Sequence, residues 1–266
     1  MKQYRGSRKH VLDWVEQPAF QDQLFELLRP VVCTRDGRDV YMPISTNEPA
    51  EARLESFGPR AFPEYEVEWR ALNRWWLANG GNTPNWDIAV RANVEGTPGL
   101  ILVEAKANCP ELRNGPKKPF KLSQEQVQRM SVPEQEISKR RSLENNITID
   151  AALSEVTEAL RSEFPTIILG RTSDYQLSNR IAFTWKVASL GIPVVLLYLG
   201  FIGDDTFGDK KLIDGNHWKR EIEEHLKTIG SPDILGRRID TGNADMWMLV
   251  KPREVLECSP PATPRA

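Results

Sequence analysis

Three charged side chains near the middle of the chain have the types and spacing that phosphate chemistry needs. Asp87 begins one apolar segment, and Glu104 and Lys106 end the next one. Because alternate side chains of a strand share a face, Glu104 and Lys106 should point the same way. The turn-forming residues 94–99 predict a hairpin that brings Asp87 beside them. Two carboxylates and one ammonium on one sheet face suit a divalent cation and a phosphate.

This constellation resembles the PD-(D/E)xK nuclease superfamily, whose members have the restriction-endonuclease-like fold. Asp87 matches the Asp of the motif, and Glu104 and Lys106 match its (D/E)xK. The strict match spans residues 87–106, and the flanking elements extend the resemblance over about half of the chain. One position departs from the motif: Trp86 precedes Asp87 where the family has proline.

The resemblance implies hydrolysis of phosphodiester bonds in nucleic acid with Mg²⁺, or alternatively Mn²⁺, and DNA is the substrate that we expect. Asp87, Glu104 and the carbonyl of Ala105 would hold the metal. Lys106 would orient or deprotonate the attacking water, or neutralise the phosphate in the transition state. Whether one metal ion binds or two is left open.

A helix expected over 63–78 offers a third acid. Glu68 lies on the apolar stripe of this helix, which is formed by Tyr65, Trp69, Leu72, Trp75 and Trp76. An acid on such a stripe costs free energy unless it has a partner. The superfamily often supplies a metal-binding Glu from the helix before the hairpin, so Glu68 is a candidate catalytic residue and metal ligand. A salt bridge at the edge of the core is the alternative.

Two further groups are candidates for contact with nucleic-acid phosphates. Gln176 and Arg180 lie on one polar stripe of a helix that follows the Glu-x-Lys strand, and the resemblance implies that such residues face the site. The stripe would contact the scissile phosphate or the surroundings of Lys106. The second group is the basic cluster Lys117, Lys118 and Lys121. An ordinary solvated surface is the alternative for both groups.

The composition narrows the class of protein. The 266 residues can bury a substantial core, and a net charge of −2 argues against an indiscriminate nucleic-acid coat. No apolar run approaches the roughly 20 residues that span a bilayer, so no membrane partner is expected. An odd count of three cysteines and a polar N-terminus predict a reducing, cytoplasmic location. A homodimer is possible but cannot be read from the sequence.

The order of predicted elements indicates an α/β fold with a mixed central sheet flanked by helices, a restriction-endonuclease-like core with helical additions. We expect an N-terminal helical extension packed on the core over 1–60, the core over 61–251 with a helical insert at about 110–165, and a flexible tail over 252–266. The local predictions are helices over 11–29 (interrupted at Pro18), 151–163 (capped by Asp150), 174–190 (with a capping box at Ser173) and 217–229, and strands over 38–45, 192–201 and 246–250.

Two other functions compete with nucleic-acid hydrolysis. The first is a non-catalytic nucleic-acid- or protein-binding module that retains the nuclease fold, which the intact Asp, Glu and Lys disfavour. The second is a metal-dependent hydrolase built on His217, Glu221 and His225, which lie along one helix face. A solvated flank beside the core stripe of the same helix is the simpler explanation of that second pattern.

Overall fold

The computed structural model describes residues 4–81, 83–112 and 115–255, without the side chains of residues 66–68. The helices are Gly6–Val15 (α1), Phe20–Leu27 (α2), Leu54–Ala61 (α3), Glu66–Trp76 (α4), Cys109–Leu112 (α5), Gln124–Arg129 (α6), Val132–Leu160 (α7), Tyr175–Ser189 (α8) and Gly215–Lys227 (α9). The strands are Cys33–Thr34 (β1), Tyr41–Met42 (β2), Ala52–Arg53 (β3), Asn85–Trp86 (β4), Ile88–Val94 (β5), Thr97–Lys106 (β6), Val194–Ile202 (β7), Arg238–Asp240 (β8) and Asp245–Glu254 (β9).

The central sheet is mixed and has seven strands. Its order is β1-β5-β6-β7-β9-β8, and β2 also pairs with β5. The pairs β5–β6 and β8–β9 are antiparallel, whereas β6–β7 and β7–β9 are parallel. Parallel neighbours need crossover connections, which are supplied here by the helical segment between β6 and β7 and by α9. The structure is therefore α/β, with a mixed, curled central sheet flanked by helices.

Helices cover both faces of this sheet. The larger core lies on the face that α3, α4, α7, α8 and α9 cover, and it includes Leu100, Leu102, Leu196 and Tyr198 from the central strands. The smaller core lies under α1 and α2, and it includes Val103, Ala105 and Leu197. Strands buried on both faces are apolar without alternation, which explains the continuous apolar runs of β6 and β7.

Helix α9 packs closely on β7. Gly200 leaves room for the indole of Trp218, since a Cβ at this position would lie 2.6 Å from that ring. The Trp218 indole N–H also donates to the carbonyl of Tyr198 at 3.3 Å. Any larger residue at position 200 would push α9 away from the sheet.

Helix α7 is the longest described element, with 29 residues, and its buried side chains all lie from Ile149 onward. Its buried side chains are Ile149, Ala152, Leu153, Val156, Thr157 and Leu160. The part of the helix before Ile149 carries the exposed apolar residues Leu143 and Ile147. At 1.5 Å per residue, about 25 Å of helix precedes Ile149.

The structure confirms one local prediction and corrects two others. The segment predicted as helix over 11–29 with an interruption at Pro18 forms α1 and α2, and the break at residues 16–19 contains Pro18. Asp150 does not cap a helix: it lies inside α7, where its carboxylate pairs with Arg171 at 2.6 Å. Ser173 is not the N-cap of α8, because Asp174 accepts the hydrogen bond from Leu177 N at 2.9 Å.

Among the described helices, none combines the length and the apolar character that crossing a bilayer requires. The tail over 252–266 lies outside the described residues from position 256 onward. Up to Glu254 the predicted tail instead belongs to β9.

Candidate active site

The predicted hairpin is present and positions the acids. Strands β5 and β6 pair antiparallel from Ile88 opposite Val103 to Val94 opposite Thr97. Asp87 lies at the bend between β4 and β5, one residue before this ladder. Its Oδ2 accepts a hydrogen bond from the Ala105 amide at 2.7 Å. The Asp87 carboxylate is therefore held against the Glu-x-Lys strand at the residue between Glu104 and Lys106.

Glu104 and Lys106 share the sheet face that α8 covers. The Lys106 ammonium donates to Glu104 Oε1, whereas the Ala105 side chain is buried in the core on the opposite face. Glu104 keeps only 2 % of its accessible surface and Lys106 5 %. This alternation is the one that the strand pattern predicts. The carbonyl of Ala105 as a metal ligand remains a prediction.

Helix α8 adds a second cation to the pair. Arg180 Nε donates to Glu104 Oε2 at 2.7 Å, so each carboxylate oxygen of Glu104 accepts from a different cation. Arg180 also donates to the carbonyl of Asn85 at 2.6 Å and to Asn179 Oδ1 at 2.9 Å. Its guanidinium stacks 4.5 Å from the Trp86 ring. These contacts fix the guanidinium in a single position.

Gln176, one turn before Arg180 on α8, contacts the other cation. Its Oε1 accepts from the Lys106 ammonium at 3.1 Å. The structure thus brings Gln176 and Arg180 to the surroundings of Lys106 and Glu104, one of the two locations expected from the stripe. Their contact with a scissile phosphate remains a prediction.

The two carboxylates are electrostatically distinct. Burial raises the pKa of Asp87 to about 7, and repulsion by Glu104 adds to the effect, although Lys106 and the Ala105 amide act against it. Burial also raises the pKa of Glu104, but Arg180 and then Lys106 outweigh it, so this pKa lies below its ordinary value. Near pH 7, Glu104 is ionised and Asp87 exchanges its proton readily.

Tyr198 is a member of the site that the sequence interpretation missed. It lies on β7 opposite Glu104 in the parallel register, so its side chain shares the Glu104 face. Its hydroxyl is buried and has no hydrogen-bond partner among the described residues. Burial raises the pKa of this phenol well above its ordinary value, and the Glu104 charge adds to that rise. Tyr198 stands in a continuous apolar run, where a tyrosine gives no signal.

A pocket of about 550 Å³ opens beside these groups. It is lined by Arg53, Trp76, Thr83, Pro84, Asn85, Gly115, Pro116, Lys117, Lys118, Tyr175, Gln176, Asn179 and Arg180. Its described lining contains four cationic side chains and no carboxylate. An anion is therefore the ligand that this pocket favours.

The three lysines of the predicted basic cluster lie at different positions relative to this pocket. Lys117 is half-buried and donates to Asn146 Oδ1 at 2.9 Å, with its ammonium 5.3 Å from the Tyr175 ring centroid. Burial lowers the pKa of Lys117, and the Arg171 charge lowers it further. Lys118 is exposed at the pocket rim, and Lys121 is exposed beyond the described lining.

The predicted third acid cannot be placed. Glu68 lies in α4, but its side chain is outside the described part of the structure. Trp69, Leu72 and Trp76 of the same helix are buried in the larger core, as the stripe predicts. Glu68 as a metal ligand remains a prediction.

The donor set fits Mg²⁺ in type, with a constraint on charge. Asp87 and Glu104 offer carboxylate oxygens, which Mg²⁺ prefers. However, Lys106 and Arg180 balance the two carboxylates when Asp87 is ionised, so the site then carries no net charge. Both Glu104 oxygens already accept hydrogen bonds, although each retains a further lone pair. The residues should therefore hold a metal more firmly when another anion, such as a substrate phosphate, adds negative charge.

Helix α9 does not present the trio predicted for the alternative metal site. His225 pairs with Asp174 Oδ2 at 2.6 Å. It is therefore not placed to share a metal ion with His217. The proposed trio of His217, Glu221 and His225 is therefore wrong, because one member is bonded to the cap of α8.

Comparisons of this chain with protein-family models, with curated proteins and with solved structures found no significant match.

Proposed function

We propose that this protein hydrolyses phosphodiester bonds in nucleic acid with a divalent metal ion, and that DNA is its substrate. The observation that carries the proposal is the arrangement of Asp87, Glu104 and Lys106 on one sheet end, with Asp87 bonded to the amide between the other two. A buried structural ion pair would not need a second carboxylate that is held beside it with a raised pKa.

The surrounding fold supports the same proposal. An antiparallel hairpin carries the acids, and a parallel strand, β7, continues the sheet after a crossover that ends in α8. This order of elements is the one that the resemblance to the PD-(D/E)xK superfamily implies. A restriction-endonuclease-like core is therefore part of the proposal.

The residues would divide the work as follows. Asp87 and Glu104 would hold Mg²⁺, which when bound supplies a Lewis acid for the phosphate oxygens and lowers the pKa of bound water. Lys106, positioned by Gln176, would orient the attacking water and stabilise the charge that develops on the phosphate. Arg180 would hold Glu104 in place, and its fixed charge would favour a phosphate at the end of the pocket nearest Glu104.

The basic pocket supplies the substrate side of the proposal. Phosphates that enter it would meet Lys117, Lys118 and Arg53 at the wall and Arg180 at the end nearest Glu104. Each contact to a phosphate releases counterions, so binding should weaken as salt rises. A net charge of −2 then stays compatible with nucleic-acid binding, because the positive charge is concentrated at one pocket.

One observation favours a second candidate, a module that binds nucleic acid without cleaving it. Both oxygens of Glu104 are neutralised by cations, which weakens a metal site but leaves the basic pocket intact. Such a module would bind DNA with the same dependence on salt and would show no turnover with any divalent metal.

A cleavage assay on the full chain separates the two candidates. Plasmid and labelled linear DNA are incubated with Mg²⁺ or Mn²⁺, beside Glu104→Gln and the matched control Glu155→Gln, an exposed acid of α7 that pairs with Lys186. We expect cleavage by the wild type and the control and none by Glu104→Gln, with circular dichroism confirming that all three are folded. DNA binding without cleavage in either metal would favour the module and reject the hydrolase.

A further inference from the structure

A second group of ligating side chains lies beyond the end of β6, between α5 and α9. Cys109 begins α5, three residues after Lys106, while His217 and Glu221 lie one turn apart on α9. One donor atom from each of the three residues lies within 4.8 Å of the other two. All three residues are partly buried, so a ligand here would be shielded without being inaccessible.

The spacing of these atoms suits a tetrahedral ion. Zinc bonds of about 2.0–2.3 Å to N, O and S place neighbouring tetrahedral ligands about 3.5 Å apart. His217 Nε2 and Glu221 Oε1 already lie 3.6 Å apart, which is longer than a hydrogen bond and close to that value. A modest movement of the Cys109 side chain would complete three corners of the tetrahedron.

The chemistry of the three donors selects the metal. A thiolate and an imidazole are the donors that zinc prefers, whereas Mg²⁺ takes oxygen ligands. Histidine and an acid four residues apart on one helix present both ligands to the same point. This donor set differs from the two carboxylates of the candidate active site.

We propose that Cys109, His217 and Glu221 form a zinc site, with water at the fourth position. The ion ties α5, which directly follows the Glu-x-Lys strand, to α9, which follows β7. Zinc binding displaces two protons at neutral pH. The thiol proton of Cys109 is released to solvent, and the proton on His217 Nε2 is replaced by one on Nδ1 of the same ring.

That proton shift has a local consequence. The Ile213 amide donates to His217 Nδ1 at 3.1 Å, so Nε2 carries the proton of the neutral ring. Once zinc occupies Nε2, Nδ1 becomes a donor and can no longer accept from Ile213. The amide of Ile213 must turn away, while Asp214 keeps its cap on the His217 amide at 2.7 Å.

Elemental analysis of the full chain tests the site. The protein is equilibrated with zinc, desalted and measured beside Cys109→Ser, His217→Ala and the conservative Glu221→Gln. Two control variants remove a thiol or an imidazole that does not belong to the site: Cys258→Ser, at a position outside the described residues, and His225→Gln. We expect about one zinc per chain in the wild type and both controls, and a clear loss in the site variants.

Three further measurements test the site even if one variant folds poorly. Cobalt added to the wild type should give a thiolate charge-transfer band that Cys109→Ser lacks. Zinc should raise the melting temperature of the wild type and of both controls, but not that of the site variants. The amide signal of Ile213 should shift on zinc addition. A wild type without zinc after equilibration, or equal zinc in a folded double variant Cys109→Ser/His217→Ala, would overturn the proposal.

Discussion

The carboxylate of Asp87 accepts a hydrogen bond from the backbone amide of Ala105 at 2.7 Å. This bond ties the acid at the bend between β4 and β5 to the residue between Glu104 and Lys106 on β6. A backbone amide cannot change rotamer, so the bond sets the position of Asp87 as firmly as the sheet itself. It also leaves Oδ1 as the oxygen available to an incoming cation.

The raised pKa of Asp87 should make the free energy of unfolding depend on pH. Because its pKa is about 7 in the folded chain against an ordinary value of 3.8, the folded state holds a proton that the unfolded state loses between about pH 4 and pH 7. Stability should therefore fall as pH rises through that window. In Asp87→Asn, the decrease in the free energy of unfolding over this pH range should be smaller by about 1–3 kcal/mol. The value allows for the partial exposure of Asp87. Urea unfolding at pH 5 and pH 8 measures it.

Asp150→Asn is the matched control for that experiment, because Asp150 is an acid of an accessible ion pair with Arg171. Parallel stability profiles for wild type and Asp87→Asn between pH 4 and pH 8 would contradict the raised pKa.

The same proton should compete with the metal. Mg²⁺ binding requires ionised Asp87, so affinity should rise by up to about tenfold between pH 6 and pH 8. Calorimetric titration in two buffers of different ionisation enthalpy would reveal the proton that binding releases. An affinity that is flat over this range would show that Asp87 is not a ligand.

Removal of Asp87 and of Lys106 should separate binding from catalysis. Asp87→Asn deletes a ligand charge, so metal affinity and cleavage should both fall. Lys106→Ala removes a cation beside the metal, so affinity should hold or increase, yet most cleavage should be lost. Calorimetry beside a DNA-nicking assay measures both quantities, and Lys186→Ala, which removes a lysine of α8 that pairs with Glu155, is the control. Nicking at the wild-type rate in either variant would mean that the triad is structural.

Arg180 should be far more important to stability than an accessible arginine. Arg180→Ala leaves Glu104 buried beside one cation instead of two, and we expect a loss of about 3–5 kcal/mol. Arg171→Ala breaks the accessible pair with Asp150 and should cost under about 1 kcal/mol. Denaturant unfolding gives both values. Equal losses in the two variants would show that the Glu104–Arg180 pair is not energetically special.

The lysines of the pocket should control affinity for DNA rather than turnover. Lys118→Ala should weaken binding and reduce the slope of log affinity against log salt by about 1. Lys121→Ala, beyond the described lining, should change the slope less. Fluorescence anisotropy over a salt series measures this, with Lys139→Ala of α7 as the control. A slope unchanged by Lys118→Ala would place the DNA elsewhere.

Those parts of the site that depend on local periodicity were predictable. Alternation within β6 places Glu104 and Lys106 together, and helical spacing places Gln176 with Arg180. The turn-rich residues 94–99 predict the hairpin that brings Asp87 to them. In each case the geometry follows from a few neighbouring residues.

Other parts depend on contacts between distant segments, which no local pattern encodes. Tyr198 meets Glu104 only because β7 pairs parallel with β6. Cys109 lies near His217 only because α5 and α9 meet. Asp150 has the residue type of a cap, but α7 continues past it and its carboxylate finds Arg171 instead. A cap preference is small beside the burial that extends this helix.

We expect the two partners of Glu104 to reach it at different stages of folding. Lys106 is two residues away, in the same hairpin, while Arg180 is 76 residues away in sequence. Closing so long a loop is slow compared with forming a hairpin. Glu104 therefore cannot enter the interior at full depth until α8 docks and brings its second cation. We therefore expect the candidate active site to be among the last parts of the sheet to form. A chain stopped before α8 docks would have the β5–β6 hairpin without the complete site.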